Sequence, residues 1–229
     1  MIKDLRFKEI INKVENNEIV YINELVDLLG VSESTVRRDI KELEKLGKLV
    51  SLNGGAVRLK DVEEKSYLQK TIINYSEKQI IGKKAANKIL DGEIIYIDSG
   101  TTPLSMLKYI KANDITIVTS NPMIINYIDN TKNIRYILLG GNIEEKLYSI
   151  VGVYTEKMLK EMYFDKTFLG ANGYVEGDYY YTFDERESRK KNLAIQNSKK
   201  SYVLADKSKK NKKALSKFAK YSDAELITD

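Results

Sequence analysis

Gly30-Val31-Ser32-Glu33-Ser34-Thr35-Val36-Arg37-Arg38-Asp39-Ile40 decides how the first part of the chain folds. Gly30 closes a helix whose apolar face is Ile22, Leu25, Val26 and Leu29, because glycine readily takes the left-handed conformation that ends a helix. Ser32 is a good N-cap for a further helix running to about Leu46, with Val36, Ile40 and Leu43 facing inward and Gly47 stopping it. Upstream, Phe7, Ile10, Ile11 and Val14 recur at helical spacing. Downstream, residues 48–52 and 56–59 flank Asn53-Gly54-Gly55, a hairpin signal. Three short helices, the last two joined by a tight glycine turn and followed by a hairpin, predict a winged helix-turn-helix over residues 1–57. Ser32, Glu33, Ser34, Thr35, Arg37 and Arg38 then occupy the exposed N-terminal turns of the recognition helix, and Asn53 and Gly54 the wing. Arginine offers a planar fork for guanine or phosphate, and two of the chain's seven arginines are adjacent here.

Residues 58–75 form a charged, amphipathic connector without glycine or proline, predicted to be a linker helix. From Ser76 to the end, residues 76–229, the pattern alternates between helix and strand. Ser76 and Gln79 can form a capping box for a helix ending at Leu90. Five apolar runs then each end in small or polar residues: 94–97 into Asp98-Ser99-Gly100-Thr101-Thr102, 115–118 into Thr119-Ser120-Asn121, 136–139 into Gly140-Gly141, 166–169 into Gly170-Ala171-Asn172-Gly173, and 202–205 into Asp206-Lys207-Ser208-Lys209. Such runs imply an α/β domain with a mostly parallel sheet covered by helices. Ligands of such sheets sit outside the carboxyl ends of the strands. Pro103 and Pro122 are predicted at the first position of the helices that follow two of the clusters.

The predicted crevice chemistry suits a phosphorylated polyol. Ser99, Gly100, Thr101 and Thr102 present N–H groups and hydroxyls at an expected helix N-terminus, with Ser120 and Asn121 opening a second helix beside them. Asp98 and Asp206 can bind sugar hydroxyls, and Lys191, Lys207 and Lys209 can neutralise phosphate. Gly140, Gly141, Gly170, Asn172 and Gly173 complete the candidate effector site. No Gly-x-Gly-x-x-Gly follows the first of these strands and no Gly-Lys-Ser/Thr loop occurs, which disfavours dinucleotide and nucleoside triphosphate sites.

Composition narrows the functional classes. With no histidine and no cysteine, histidine-based acid–base triads, thiol catalysis, zinc fingers and disulfide scaffolds are excluded. No metal site, cofactor or catalytic residue is assigned. No window approaches a membrane span and the N-terminus lacks an apolar signal region, so a cytoplasmic protein is expected. The net charge of +5 is uneven: residues 186–220 hold 13 basic and 2 acidic side chains, against 11 and 10 in residues 1–60. The C-terminal excess is mostly lysine and reads as a solvated face, with Lys191, Lys207 and Lys209 placed for phosphate and not for DNA.

At Arg37-Arg38-Asp39-Ile40, Leu43, Gly47 and Gly54-Gly55-Ala56, and again at 98–102, 119–121, Gly140-Gly141, Gly152, 168–173 and 204–209, the sequence resembles DeoR-family transcriptional regulators. The resemblance implies an N-terminal winged helix-turn-helix and a sensor with a fold similar to pentose-phosphate isomerases. It also implies a homo-oligomer, dimer or tetramer, that represses a carbohydrate operon on double-stranded operator DNA until a sugar phosphate binds. The wing departs from the family pattern at Ser51 and Asn53, where arginine and histidine are usual, and so does the loop at Lys207 and Lys210-Asn211. Relatives usually continue through a closing segment beyond Leu226-Ile227-Thr228-Asp229, and no strand is assigned there. The competing expectation is a sugar-phosphate isomerase-like enzyme fused to a DNA-binding head, with Asp98 or Asp206 as base.

Overall fold

The computed structural model of the chain describes residues 2–17, 19–46, 48–52, 54–59, 64, 66–129 and 131–229. The expectations placed on Gly47, Asn53 and residues 60–63 and 65 lie outside the described residues. The N-terminal elements are α1 (Lys3–Asn17), β1 (Ile19–Tyr21), α2 (Ile22–Leu29), α3 (Glu33–Lys45), β2 (Leu49–Leu52) and β3 (Ala56–Leu59). Ile10, Val14, Leu25, Val36, Ile40 and Leu43 are buried together, so the three helices share the core that their spacing implies. Gly30 is left-handed at φ 61° and its N–H donates to the Val26 carbonyl. The Ser32 hydroxyl accepts from the Thr35 N–H at 3.4 Å, the cap expected of it.

Strand β1 is an addition to the sequence reading. It pairs antiparallel with β3, which pairs with β2, giving a three-stranded wing sheet in the order β1-β3-β2. Three residues that run straight into a helix are too short to show a period-two pattern.

The rest of the chain comprises α4 (Tyr67–Ile72), α5 (Tyr75–Ala86), β4 (Ile94–Ile97), α6 (Thr101–Leu104), β5 (Ile115–Thr119), β6 (Ile134–Leu138), β7 (Asn142–Glu144), β8 (Ser149–Val151), α7 (Val153–Lys160), β9 (Phe164–Gly170), β10 (Gly173–Tyr174), β11 (Tyr179–Thr182), α8 (Glu185–Gln196), β12 (Ser198–Leu204), β13 (Ser216–Lys220) and β14 (Glu225–Ile227). Six strands form one sheet in the order β14-β12-β9-β4-β5-β6, with every neighbouring pair parallel. Alternate residues face two cores. Ile95, Ile97, Phe168, Tyr202 and Leu204 pack on one side with Ile81 and Ala85 of α5, while Tyr96, Leu169 and Val203 pack on the other with Leu159 of α7 and Ala194 of α8.

Several local expectations are corrected. Among the described residues the connector is helical over Tyr67–Ile72 and at Tyr75, where α5 begins, while Arg58 and Leu59 finish strand β3. The capping box belongs to Ser66 and Gln69 at the start of α4, not to Ser76 and Gln79. Asn74, left-handed at φ 50°, reverses the chain before α5, which therefore begins at Tyr75 and ends at Ala86. Pro122 holds the first position of a 3-10 turn capped by Asn121, but Pro103 is the third residue of α6. Glu225–Ile227 supplies a sixth strand at the sheet edge.

The two halves are in contact. Ile19 and Ala56 of the wing sheet are buried against Tyr181 and Ala214, with Tyr21, Leu52, Phe183 and Leu215 packed around them. The Tyr21 hydroxyl donates toward the carbonyls of Ala214 at 3.1 Å and Leu215 at 3.0 Å. Lys213 pairs with Glu24 of α2 at 3.3 Å. Tyr21→Phe keeps the ring and removes this donor, and is expected to lower stability by about 1 kcal/mol. Urea unfolding of the full chain measures that loss, and an unchanged midpoint would count against the contact.

Candidate effector crevice and DNA-reading face

The candidate reading face lies on α3. Glu33, Ser34, Arg37 and Arg38 are exposed, whereas Val36, Asp39 and Ile40 are buried. At the helix start the Ser32 hydroxyl lies 3.0 Å from that of Ser34 and 2.9 Å from that of Thr35. Arg37 is paired with Glu33 at 2.7 Å, one turn away, and Arg38 is exposed beside it. Asp39, 2% exposed, accepts a two-pronged hydrogen bond from Arg6 of α1 at 2.6 and 3.1 Å. This pins the recognition helix to the first helix. Its sequence signal was a polar residue sharing a helix face with Val36, Ile40 and Leu43. Gly54 and Gly55 turn the wing at φ 81° and 75°.

The candidate effector site lies where the strand order reverses. The chain passes from β4 to β5 and β6 on one side, then returns through β9, β12 and β14 on the other. The ends of β4 and β9 therefore diverge and leave a crevice between them. Ser99, Gly100, Thr101 and Thr102 form one wall, Gly170 and Asn172 the opposite wall, and Lys191, Asp206 and Lys209 also face the cavity, whose volume is about 150 Å³. Gly170 sits close to the opposite wall: a side chain on it would meet Pro103 at 3.5 Å and Asp98 at 3.6 Å.

The remaining sequence candidates lie behind or beside this crevice. Ser120, at the end of the next strand, is 3.0 Å from the Tyr96 hydroxyl. Asn121 donates to the Ser99 carbonyl at 2.7 Å. Gly140 and Gly141 are farther along the sheet, at the end of β6. Gly141 has φ 152° and a side chain there would collide with Thr155 Oγ1, so its role in the fold is close packing. Gly173 packs on the Lys212 carbonyl. Lys207 is exposed and pairs with Asp229 at 3.6 Å.

Asp98 is fully buried under the crevice floor. Its Oδ2 accepts from the Gly170 N–H at 3.1 Å and pairs with Lys191, while Oδ1 lies 3.8 Å from Lys190. Glu187 completes the cluster, 2.7 Å from Lys190 and 3.4 Å from Lys191, and accepts a hydrogen bond from Ser149. Burial works to raise the Glu187 carboxyl, but the two ammonium groups and the hydrogen bonds from Lys190 and Ser149 outweigh it and hold it well below the ordinary range. Burial likewise opposes the charge on Lys191, yet Asp98 and Glu187 raise it above a normal lysine. Two acids and two lysines thus neutralise one another in the interior. Spacing on α8 places Glu187, Lys190 and Lys191 on one face at i, i+3 and i+4, but nothing in the sequence shows which strand end they meet.

Positive charge toward the cavity comes from Lys70, Lys78 and Lys209. The α6 helix has only four residues, so its dipole adds little, and the helix-terminus argument for phosphate gives way to these lysines. Burial pushes Lys78 down to about 8, with Lys209 and Lys70 also lowering it against the pull of Asp206 and Glu77. Asp206, at 3% exposure, accepts from Asn74 Nδ2 and the Ser208 N–H, each at 3.0 Å. Glu64, Tyr67, Lys70, Ile73 and Asn74 bring the connector and its junction with α5 into the wall. Sequence reasoning missed all five, because a linker helix carries no signal of the surface it docks against. The dock is firm: Tyr67 is 5% exposed, its ring lies tilted against that of Tyr148 with centroids 5.2 Å apart, and its N–H donates to the Lys146 carbonyl at 2.8 Å.

Comparison with known families separates the two halves. A profile described as the DeoR-like helix-turn-helix domain matches residues 6–62, and one described as the DeoR C terminal sensor domain matches residues 73–229. The chain belongs to the DeoR family. The DeoR-family chain is 38% identical over 230 residues to the HTH-type transcriptional regulator FruR of Bacillus subtilis, itself uncharacterized, across all of this chain and 91% of that one. It is 32% identical to the lactose phosphotransferase system repressor of Staphylococcus epidermidis, across 97% of this chain and 90% of the relative. Ribose 5-phosphate isomerase A from Neisseria gonorrhoeae superposes on 58% of the chain and 52% of its own length, with a TM-score of 0.41 at 17% identity. Membership places this DeoR-family protein among transcriptional regulators and not among enzymes, against the isomerase expectation.

Proposed function

We propose that the chain represses a carbohydrate-metabolism operon by binding double-stranded operator DNA through α3, and that a phosphorylated sugar in the crevice controls it. The observation that carries this reading is the shared wall: connector residues that join the reading head to the sensor also line the lysine-bearing cavity. The proposal includes a head at 1–57, a connector at 58–75 and a sensor at 76–229. It also includes a homo-oligomer, dimer or tetramer, because paired helix-turn-helix heads read half-sites about 34–36 Å apart. Among the described residues no helix is long and apolar enough to cross a membrane. The test is binding of DNA fragments from the gene's own neighbourhood, with and without a panel of sugar phosphates. A tight operator complex indifferent to every sugar phosphate would sink the control.

Lys78 gives this reading a pH signature. Its folded value of about 8 leaves it protonated below that pH and neutral above it. A phosphate monoester is dianionic above about pH 6. Effector affinity is therefore expected to be highest near pH 7 and to fall about tenfold by pH 9.5, as Lys78 loses its proton. Titration calorimetry across this range reads the fall, and Lys78→Met should flatten it. A fall of equal size in Lys78→Met would assign it elsewhere.

A further inference from the structure

Glu64 is a connector acid in the wall of the cavity, close to the lysines that would draw an anion there. It belongs to the connector, five residues after the last residue of the wing sheet and three before the first residue of α4. Its side chain is 17% exposed, and its carboxylate accepts from Lys70 Nζ at 2.6 Å and from Asn172 Nδ2 at 3.4 Å. Asn172 belongs to the sensor, at the carboxyl end of β9, and its Oδ1 accepts from the Thr182 hydroxyl at 3.1 Å. One connector carboxylate therefore engages a lysine and a sensor amide donor, both of which line the cavity. A phosphate has the same charge sign and accepts from the same donors.

We propose that Glu64 is an internal ligand of the effector site, occupying Lys70 and Asn172 until a phosphate takes both donors and releases the Glu64 end of the connector from the sensor. This rests on the crevice being the effector site and adds how occupancy reaches the head. The Asn172 hydrogen bond ties Glu64 to the sensor, so its displacement removes a tether on the stretch of connector that runs from the wing sheet to α4. A ligand shifts such an equilibrium only by what it binds differently in the two states. Here the difference is definite: Lys70 and Asn172 can serve Glu64 or phosphate.

The test uses the full chain, with inorganic phosphate as the probe, in calorimetry and in hydrogen exchange of residues 66–72. Glu64→Gln removes the competing charge at a partly exposed position. It is expected to bind phosphate about threefold to tenfold more tightly than the unsubstituted chain. Phosphate should speed exchange across 66–72 in the unsubstituted chain, and Glu64→Gln should show that faster exchange without phosphate. Lys209→Gln, which alters the cavity but not the tether, should weaken phosphate binding without loosening 66–72. If Lys209→Gln weakens binding while Glu64→Gln changes neither affinity nor exchange, the internal-ligand assignment is overturned and the site stands. If no form of the chain binds phosphate, both fall.

Discussion

Replacing Arg37 and Arg38 together by alanine is expected to lower operator affinity by roughly two to four orders of magnitude, since each bidentate base contact is worth about 1–3 kcal/mol. Sugar-phosphate binding should be unchanged. Both side chains are exposed on α3, so their loss leaves no cavity, and the anchoring pair of Arg6 with Asp39 is untouched. The single variants separate the roles. Arg37 must leave its ion pair with Glu33 to meet DNA, and Glu33→Gln should therefore strengthen binding at low salt. The salt dependence of each variant divides phosphate contacts from base contacts, because only the former release counterions. Sequence-specific binding retained by the double variant would place the reading surface elsewhere.

Asp98→Asn should destabilise the sensor by about 3–5 kcal/mol, the scale for stranding a buried charge. Asparagine nearly preserves shape, but it leaves Lys190 and Lys191 sharing Glu187 with no second carboxylate. Urea unfolding measures the loss, and a variant within about 1 kcal/mol of the unsubstituted chain would show the cluster is not ionised as drawn. The cluster also fixes a pH window. Glu187 sits below its ordinary value when folded, so its contribution is present above the usual carboxylate range and is lost as pH falls through it toward the folded value. Lys191 sits above its ordinary value, so its contribution holds below the usual lysine range and disappears as pH rises toward the folded value.

The helix-turn-helix was legible because its signals are local: Gly30 and Ser32 set the turn, and Val36, Ile40 and Leu43 the buried face. The parallel sheet was legible for the same reason, since each strand is an apolar run with a polar end. What five strand ends could not reveal is their order. The runs ending at Asn121 and Gly141 look as promising as those ending at Asp98 and Gly170, yet only the latter pair flanks the point where the order reverses. That reversal depends on pairing between residues some seventy positions apart, as Ile97 with Phe168. Glu64 and Lys70 were hidden for a related reason, because a docked connector looks like any charged helix.

The basic C-terminal third was read as solvated surface, and its lysines turn out to be widely paired. Lys199 meets Asp165, Lys200 meets Glu225, Lys207 meets Asp229, Lys210 meets Glu176 and Lys213 meets Glu24. A run of like charge in sequence is thus an alternating pattern in space. Isolated pairs of this exposure stabilise little.

Strand β11 and the residue after it touch three compartments in succession. Tyr180 is buried in the sensor core, Tyr181 against the wing sheet, and Thr182 and Phe183 reach the crevice. The chain contains no tryptophan. A single indole introduced at Phe183 would therefore be the protein's sole long-wavelength emitter, standing where the crevice and the helix-turn-helix half meet. Its emission colour would register water entering from the cavity, and its anisotropy would register loosening of the head. The boundary between the two halves is thus an optical address already built into the sequence.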